Sequence, residues 1–448
     1  MAIESLETDY LVIGSGAMGM AFTDELLTQD TNAHVVMIDR HAKPGGHWND
    51  AYPFVTLHQP AAFYGVNSED LGPGGTYLAS GAEVLAYYER VLAKWLATGR
   101  LQYFPMCESV GDAHFRSNLD EGQEYRVKVR KKTVDSTYMN VQVPSIRPPQ
   151  YEVAPGVRLV PPNELPKVRK PHDGYVVVGA GKTGMDAVLF LLAQGAAPDA
   201  VTWIMPNDAW LIDRATFDPR HFIGKGSQSR EIVQAGTLDE LMGALDAAEK
   251  LLRLDPDVWP TKYRCATVNQ EELRQLRRVD NVVRMGRVVR IDPSSIMLEQ
   301  GSIPTSPETL YVDCTADGLA KRAARPIFEG DRITLQSVMQ CQQVFSASLI
   351  GHIESRYDND ERMNALVRPV PHPEHVRDFL LTNSISNQNI ANCMKAFPLW
   401  LLRSRLSMFN YLGILRMLQV GLYEAKYQAK ANANTKALVA REFPGMDL

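Results

Sequence analysis

Two short apolar runs, Tyr10-Leu11-Val12-Ile13 and Tyr175-Val176-Val177-Val178, each stop at a glycine-rich turn and resume with apolar residues at helical spacing. Runs of this length read as buried strands, and the period that follows reads as a helix lying back on them. The turns are Gly14-Ser15-Gly16-Ala17-Met18-Gly19 and Gly179-Ala180-Gly181-Lys182-Thr183-Gly184. After the first helix, Ala33 to Ile38 gives a second strand that ends at Asp39. Ala82 to Thr98 carries Val84, Leu85, Tyr88, Val91, Leu92, Trp95 and Leu96 on helical spacing and stops at Gly99. Residues 101 to 143 alternate in short runs, among them Tyr125 to Val129 and Tyr138 to Val143, and predict an antiparallel sheet.

Eight prolines between Pro144 and Pro171 mark a linker before the second strand-turn-helix unit. Beyond it come a strand over Val201 to Met205, a helical insertion between Ser229 and Leu254, a hairpin from Val288 to Ile303, and a buried-type strand from Leu310 to Thr315. From Pro373 onward the pattern is mostly helical. The whole predicts an α/β protein with two Rossmann-like dinucleotide-binding domains, the second inserted into the first, and a helical C-terminal region. The expected boundaries are 1–165 with 306–372 for the first domain, 170–305 for the second and 373–448 for the helical extension. Pro44 to Pro73 has no sustained period, and its histidines and aromatics favour an ordered functional loop over a disordered one.

Composition narrows the class. With 448 residues, 45% hydrophobic and 22% charged, the chain is neither disordered nor a bundle of membrane spans. A net charge of -5 gives no reason to expect nucleic acid as a partner. The Arg126 to Lys132 cluster alternates with apolar residues and reads as a solvated strand face. Phe397 to Leu422 is dense in Leu, Met, Trp and Tyr, but Arg403, Arg405 and Arg416 interrupt it before the roughly eighteen residues that a span needs. It reads as buried helices or as the face of a homo-oligomer, with a membrane-surface contact as the alternative. Cys107, Cys265, Cys314, Cys341 and Cys393 form no CxxC pair, so neither a zinc site nor a disulfide framework is expected, which suits a reducing compartment. Met1 to Asp9 has no basic region of the signal-peptide kind, so the cytoplasm is the default address.

The glycine turns carry the chemistry. In such a turn the first glycine allows a tight bend, the second lets backbone approach a pyrophosphate, and the third lets helix and strand touch. The anion then lies on a helix N-terminus. Gly14, Ser15, Gly16, Ala17, Met18 and Gly19 are thus candidate nucleotide-binding residues, as are Gly179, Gly181, Lys182, Thr183 and Gly184. Asp39, twenty positions after Gly19, stands where a ribose-binding acid belongs. The second unit has no such acid, since Met205-Pro206-Asn207 fills that place, and Arg214 reads equally as a 2'-phosphate partner or a surface ion pair. Lys182-Thr183 does not make an ATP phosphate loop, because Val176 stands where that motif needs glycine. Asp50 reads as a turn cap or as a partner for an arginine or a nicotinamide, and Asp317-Gly318 as a tight turn or the strand end that meets a cofactor.

With Arg40-His41-Ala42-Lys43-Pro44-Gly45-Gly46-His47-Trp48 after Asp39, the chain resembles the flavin-containing monooxygenase superfamily, whose members carry an acid-basic pair followed by Gly-Gly-x-Trp. Tyr52-Pro53, Leu57-His58-Gln59-Pro60 and the second glycine turn with Asp186 extend the resemblance. It implies FAD at the first turn and NAD(P)H at the second, with the nicotinamide reducing the flavin before oxygen adds at its C4a carbon. By the same resemblance Asp39 and Arg40 hold the adenosine ribose, Gly46, His47 and Trp48 line the flavin side, and Val110 meets the adenine through its backbone. His47, His58 and Gln59 are the candidate catalytic groups, as neutral hydrogen-bond donors facing the flavin. The family's Phe-x-Gly-x-x-x-His-x-x-x-Trp stretch is absent at Tyr151 to Leu159, and its Ala-Thr-Gly turn is altered at Val143-Pro144-Ser145 and Thr315-Ala316-Asp317-Gly318. The favoured expectation is NAD(P)H-driven monooxygenation of a small organic molecule, with oxygen as co-substrate. A flavin reductase or dehydrogenase is the first alternative, and a non-catalytic nucleotide sensor the second.

Overall fold

The computed structural model describes residues 3–120, 122–141, 143–218, 221–316, 319, 322–410 and 414–445. The first sheet grows from β1 (Ile3–Ile13); α1 (Ala17–Gln29) returns the chain to β2 (Val35–Ile38), parallel to β1. Next, α2 (Gly81–Ala97) starts at a reciprocal cap between Ser80 and Glu83 and leads into β3 (Leu101–Phe104) beside β2. β4 (Cys107–Gly111), β5 (His114–Ser117) and β6 (Glu124–Asp135) form an antiparallel meander, and β6 also runs parallel to β1, so that Asp135 ends beside Ile13. The strand expected over Tyr138 to Val143 does not form among the described residues there. Asp135 turns the chain instead, its Oδ1 accepting from the Thr137 amide at 2.9 Å and the Thr137 hydroxyl at 2.7 Å.

The proline-rich stretch contributes β7 (Glu152–Val153) and β8 (Arg158–Val160) before β9 (Gly174–Val178), α3 (Lys182–Ala193) and β10 (Val201–Ile204). β11 (Ala209–Asp213), α4 (Ser229–Gln234), α5 (Leu238–Ala247), β12 (Leu251–Leu252) and β13 (Lys262–Val268) make a three-stranded side sheet with its helices. After α6 (Gln270–Leu276) and β14 (Val282–Val283), the strands β15 (Val288–Asp292), β16 (Ser295–Leu298) and β17 (Gly301–Pro304) fold as an antiparallel meander, and β18 (Thr309–Asp313) follows. The second main sheet is entirely parallel, in the order β14, β10, β9, β18, β8. β8 and β18 pair with each other, so 158–160 and 309–313 belong to this sheet and not to the first, as the expected boundaries at 165 and 306 had it. Strands recruited from both sides of the insertion close it, which no local period reveals.

The chain re-enters the first sheet through β19 (Phe328–Glu329) and β20 (Arg332–Thr334), the latter parallel to β6. Five helices follow: α7 (Gln343–Glu354), α8 (Asp360–Leu366), α9 (Asp378–Ala396), α10 (Pro398–Arg403) and α11 (Ile414–Glu442). They are wedged into the body. Phe379, Leu380, Leu438 and Val439 share a core with Trp210, Leu241 and Tyr263, while Phe397, Leu401 and Leu406 join the core of the first sheet. Among the described residues no helix is long and apolar enough to cross a membrane.

One sequence expectation about cysteine is overturned. Cys265 on β13 is bonded to Cys341, just before α7, across 76 residues of sequence. Cys107, Cys314 and Cys393 are free and buried. The bond fastens the side sheet to the first unit, and a spacing of this size leaves no local signature. Peptide mapping without reductant should recover one cross-linked pair, Cys265 with Cys341. Cys265→Ser should lower Tm, with an upper limit of about 4.5 kcal/mol from loop closure. Free thiols at both positions in the purified protein would refute the bond.

Candidate nucleotide and substrate site

Both glycine turns have the same steric design. Gly14 holds φ +98° and Gly179 φ +126°, in the region that L side chains rarely adopt. A Cβ on Gly19 would collide with the Gly14 carbonyl oxygen, and one on Gly184 with the Gly179 carbonyl oxygen. The middle glycines differ in kind. A Cβ on Gly16 would meet only the Gly46 Cα, at 3.7 Å, and one on Gly181 would meet nothing within 4 Å. In each turn two glycines are needed by the protein itself, while the third leaves an open surface at the N-terminus of a helix, where amides face outward.

Gly14, Gly16, Ala17 and Met18 line a cavity of about 330 Å³, together with Asp39, Arg40, Gly46 and His47. Cys107, Glu108 and Ser109 of β4 also line it, as do Arg322 and Gln343. Three of the expected cofactor residues stand apart from this lining. Val110 lies beyond the lining, because the Cys107 amide bonded to the Asp39 carbonyl at 2.8 Å turns Cys107 to Ser109 toward the cavity. Trp48 points away from it, donating from Nε1 to the Tyr64 hydroxyl at 2.7 Å inside the core. Ser15 is fully buried and serves Asp39, giving its amide (2.6 Å) and its hydroxyl (2.9 Å) to Oδ2.

The other oxygen of Asp39 accepts from the His41 amide at 2.8 Å and stands 2.9 Å from Nδ1 of the same ring. His41 Nε2 reaches Asp50 Oδ2 at 2.9 Å, so the ring bridges two carboxylates, and Arg40 lies 3.9 Å from Asp50. Asp50 therefore positions cations rather than capping a turn. Burial would raise the Asp39 carboxyl, but the bonds from His41 and Ser15 outweigh it and hold it below the usual range. The Asp39 bond raises the His41 pKa against burial, with Asp50 adding to it. All four lone-pair directions of Asp39 are used, so a ribose diol has to replace the Ser15 hydroxyl or the His41 ring.

The irregular segment from Gly45 joins the two turns. The Gly45 amide donates to the Ser15 carbonyl at 2.9 Å, and a Cβ on Gly46 would stand 2.8 Å from the Gly16 Cα. Further along, the Tyr52 hydroxyl donates to Asp186 Oδ2 at 2.6 Å, Asp186 also holds Lys182, and Phe54 stacks on Phe190 at 4.3 Å. At the segment's end the His58 carbonyl accepts from Arg214 Nε at 2.7 Å and the Thr267 hydroxyl at 2.8 Å. Arg214 is buried and bonded to Glu272 at 2.9 Å, neither on the surface nor free for a phosphate. Burial pushes His47 down to about 4, so it is neutral at ordinary pH. The His58 ring faces solvent within a cleft walled by protein; that crowding, then Lys182, Arg214 and His47, holds its pKa well below the usual range. Gln59 is outside the cavity lining, its Nε2 3.5 Å from the Phe63 carbonyl.

The altered crossover turns are also located. The first is Asp135-Ser136-Thr137 rather than Val143-Pro144-Ser145: the Ser136 hydroxyl donates to the Ile13 carbonyl (2.7 Å) and the Gly14 carbonyl (2.6 Å). Asp313 repeats the design, its Oδ1 accepting from the Thr315 amide (3.1 Å) and hydroxyl (2.6 Å). Asp317 and Gly318 lie outside the described residues. Asp-x-Thr at the end of two parallel strands was a readable signal, and the sequence reading passed over it.

Residues 12–65 match the model of an NAD(P)-binding Rossmann-like domain. The Mycobacterium tuberculosis protein Rv2000 is 52% identical over 394 residues, which cover 84% of this chain and 73% of that protein. In fold, a double mutant of a flavin monooxygenase from Stenotrophomonas maltophilia superposes with a TM-score of 0.50 at 15% identity, over 80% of this chain and 99% of that one. A cyclohexanone monooxygenase from Rhodococcus sp. Phi1, solved with NADP+, gives 0.51 at 14% identity, over 95% and 99%.

Gly16→Ala should leave Tm within a degree or two of the parent yet weaken flavin retention at least tenfold, read from the cofactor absorbance per protein. Gly19→Ala should cost stability outright. Equal flavin loading in the parent and Gly16→Ala would contradict the cradle. The raised His41 pKa has a sign: its stabilisation is complete below the unfolded pKa near 6.5 and disappears as pH rises through the folded value. Thermal unfolding between pH 6 and 9 should show a decline that His41→Gln lacks, and parallel curves would remove His41 from this role.

Proposed function

The chain belongs to the family of the mycobacterial protein Rv2000 and has the fold of the flavin monooxygenases, and from that premise we propose an FAD-dependent oxidoreductase that uses NAD(P)H and oxygen to oxygenate a small organic molecule. The observation that carries the reading is the single segment that touches the first glycine turn at Gly45-Gly46 and, through Tyr52 bonded to Asp186, the helix that the second turn opens. Two nucleotides held on these turns converge on one set of side chains.

A bound flavin supplies two-electron redox chemistry and the activation of oxygen. The chain supplies position. Amides at the start of α1 take one pyrophosphate and those at the start of α3 the other, with Lys182 close to the second. Asp39 holds the first ribose once the Ser15 hydroxyl or the His41 ring gives way. Arg322 and the N-terminal residue of α7, Gln343, also line the cavity, and a cation with a helix N-terminus there would favour negative charge on a bound ring. His47 and His58 stay neutral between pH 6 and 8, so each offers a ring N–H to a developing oxyanion while adding no net charge. The segment itself excludes water, because buried Arg405 ties down the carbonyls of Ala62 (2.9 Å), Tyr64 (2.7 Å) and Val66 (3.1 Å).

Purified protein should be yellow, bleach when NAD(P)H is added without oxygen, and recover colour with transfer of one oxygen atom to a substrate. Colourless protein that takes up no FAD would overturn the enzyme reading. Recovery that yields only hydrogen peroxide with every substrate tried would reduce the function to a flavin reductase. Gly181→Ala should keep full FAD loading but slow bleaching by NAD(P)H at least tenfold, since the open face it fills belongs to the second nucleotide. An unchanged rate would contradict that placement.

A further inference from the structure

In a unit of this kind the glycine turn fixes the pyrophosphate, and the tip of the next strand decides what the adenosine ribose meets. That strand here is β10, followed by Met205, Pro206, Asn207 and Asp208. β14 runs beside it, and the Met205 amide donates to the Val283 carbonyl at 2.9 Å, so Arg284 emerges next to the tip. Arg284 is committed: Nε lies 2.8 Å and Nη2 3.1 Å from the two oxygens of Asp208, and Nη2 is 3.2 Å from Asp255. One guanidinium between two carboxylates leaves a formal charge of about -1 at the tip. Asp208 is buried, so Arg284 cannot turn to a ligand without leaving an uncompensated carboxylate.

Three cations near the second turn are paired as well, Lys182 with Asp186, Arg214 with Glu272, and Lys225 with Asp213 and Glu249, while Arg147 is held by the Thr315 carbonyl, beyond the end of β18 and not at the tip of β10. A coenzyme 2'-phosphate would bring close to two negative charges to a place that is already negative. A 2'-hydroxyl finds neutral Asn207 and the carboxylate Asp208 within the same tip, and these are the acceptors that a diol needs.

We infer that the second nucleotide site takes NADH and discriminates against NADPH, because the tip of β10 offers the ribose an acid-rich triad, Asp208-Arg284-Asp255, in place of a free cation. The inference rests on the nucleotide reading of that site, and the experiment separates the two. Calorimetric titration of the FAD-loaded protein with NAD+ and with NADP+ should give a Kd at least tenfold lower for NAD+, and anaerobic flavin reduction should show the same order for NADH and NADPH. Equal affinity, or tighter NADP+, overturns the discrimination while leaving the oxidoreductase standing. Binding of neither nucleotide removes the second site and the inference with it. Asp208→Asn, which removes one negative charge from the tip and leaves Arg284 with Asp255 alone, should tighten NADP+ at least tenfold. Because that change touches a buried pair, Asn207→Arg, at a half-exposed position, provides the independent case: it should tighten NADP+ by a similar factor, and no gain there would refute the placement of the ribose.

Discussion

Everything in this molecule that concerns a ligand depends on a carbonyl pressed against a glycine. In each nucleotide unit the first glycine of the turn directs its carbonyl at the third, at a distance no side chain tolerates. A donor from elsewhere then fixes that carbonyl. The Ser136 hydroxyl caps Gly14, and the Trp203 indole caps Gly179 at 2.8 Å. With the carbonyl pinned, strand and helix close up and the next amides are left facing outward. The two units reach this state with different side chains, which identifies the geometry and not the capping residue as what the fold conserves between its halves.

The same turns had the clearest signal in the sequence, and for a physical reason. A positive φ and a contact without Cβ can be met only by glycine, so the constraint is written locally. The tip of the second strand was legible on the same terms: Asp39 lies where strand length and turn length put it. Features set by pairing between distant residues were not. β8 and β18 close the second sheet from either side of the insertion, and Cys265 meets Cys341, with nothing nearby in sequence to announce either. Val110 lies just beyond the lining, since where an alternating strand first touches a cavity depends on register, and here Cys107 to Ser109 line it. An aromatic beside a glycine pair reads the same whether it faces a cavity or a core, and Trp48 bonds the Tyr64 hydroxyl within the core.

The C-terminal helices change meaning in the same way. Read along the chain they are an extension; in space they hold the cavity wall. Glu25 on α1 is almost fully buried and lies 3.0 Å from His352 Nδ1 on α7, while accepting from Trp400 Nε1 on α10 at 2.7 Å and from Asn67 of the irregular segment at 2.9 Å. Burial lowers the His352 pKa, and Glu25 opposes that shift. An acid with several donors is well satisfied, but removing any one donor leaves a buried polar group short of a partner. The helix that the first glycine turn opens, the irregular segment and the C-terminal helices are thereby coupled through one side chain.

That coupling bears on how two histidines of the irregular segment come to be neutral. His47 and His58 would be cations in water below pH 6.5, and a cation there would bind phosphate groups directly. Burial keeps His47 neutral, while at His58 the neighbouring Lys182 and Arg214 also oppose protonation. The segment that carries them is clamped by Arg405 from one side and by Arg214 and Thr267 from the other. Lys182 and Arg214 are already paired to carboxylates. In the proposed function the backbone amides of the two turns would then be the anion receptors and the histidine segment would keep proton chemistry, two tasks that a charged histidine would merge.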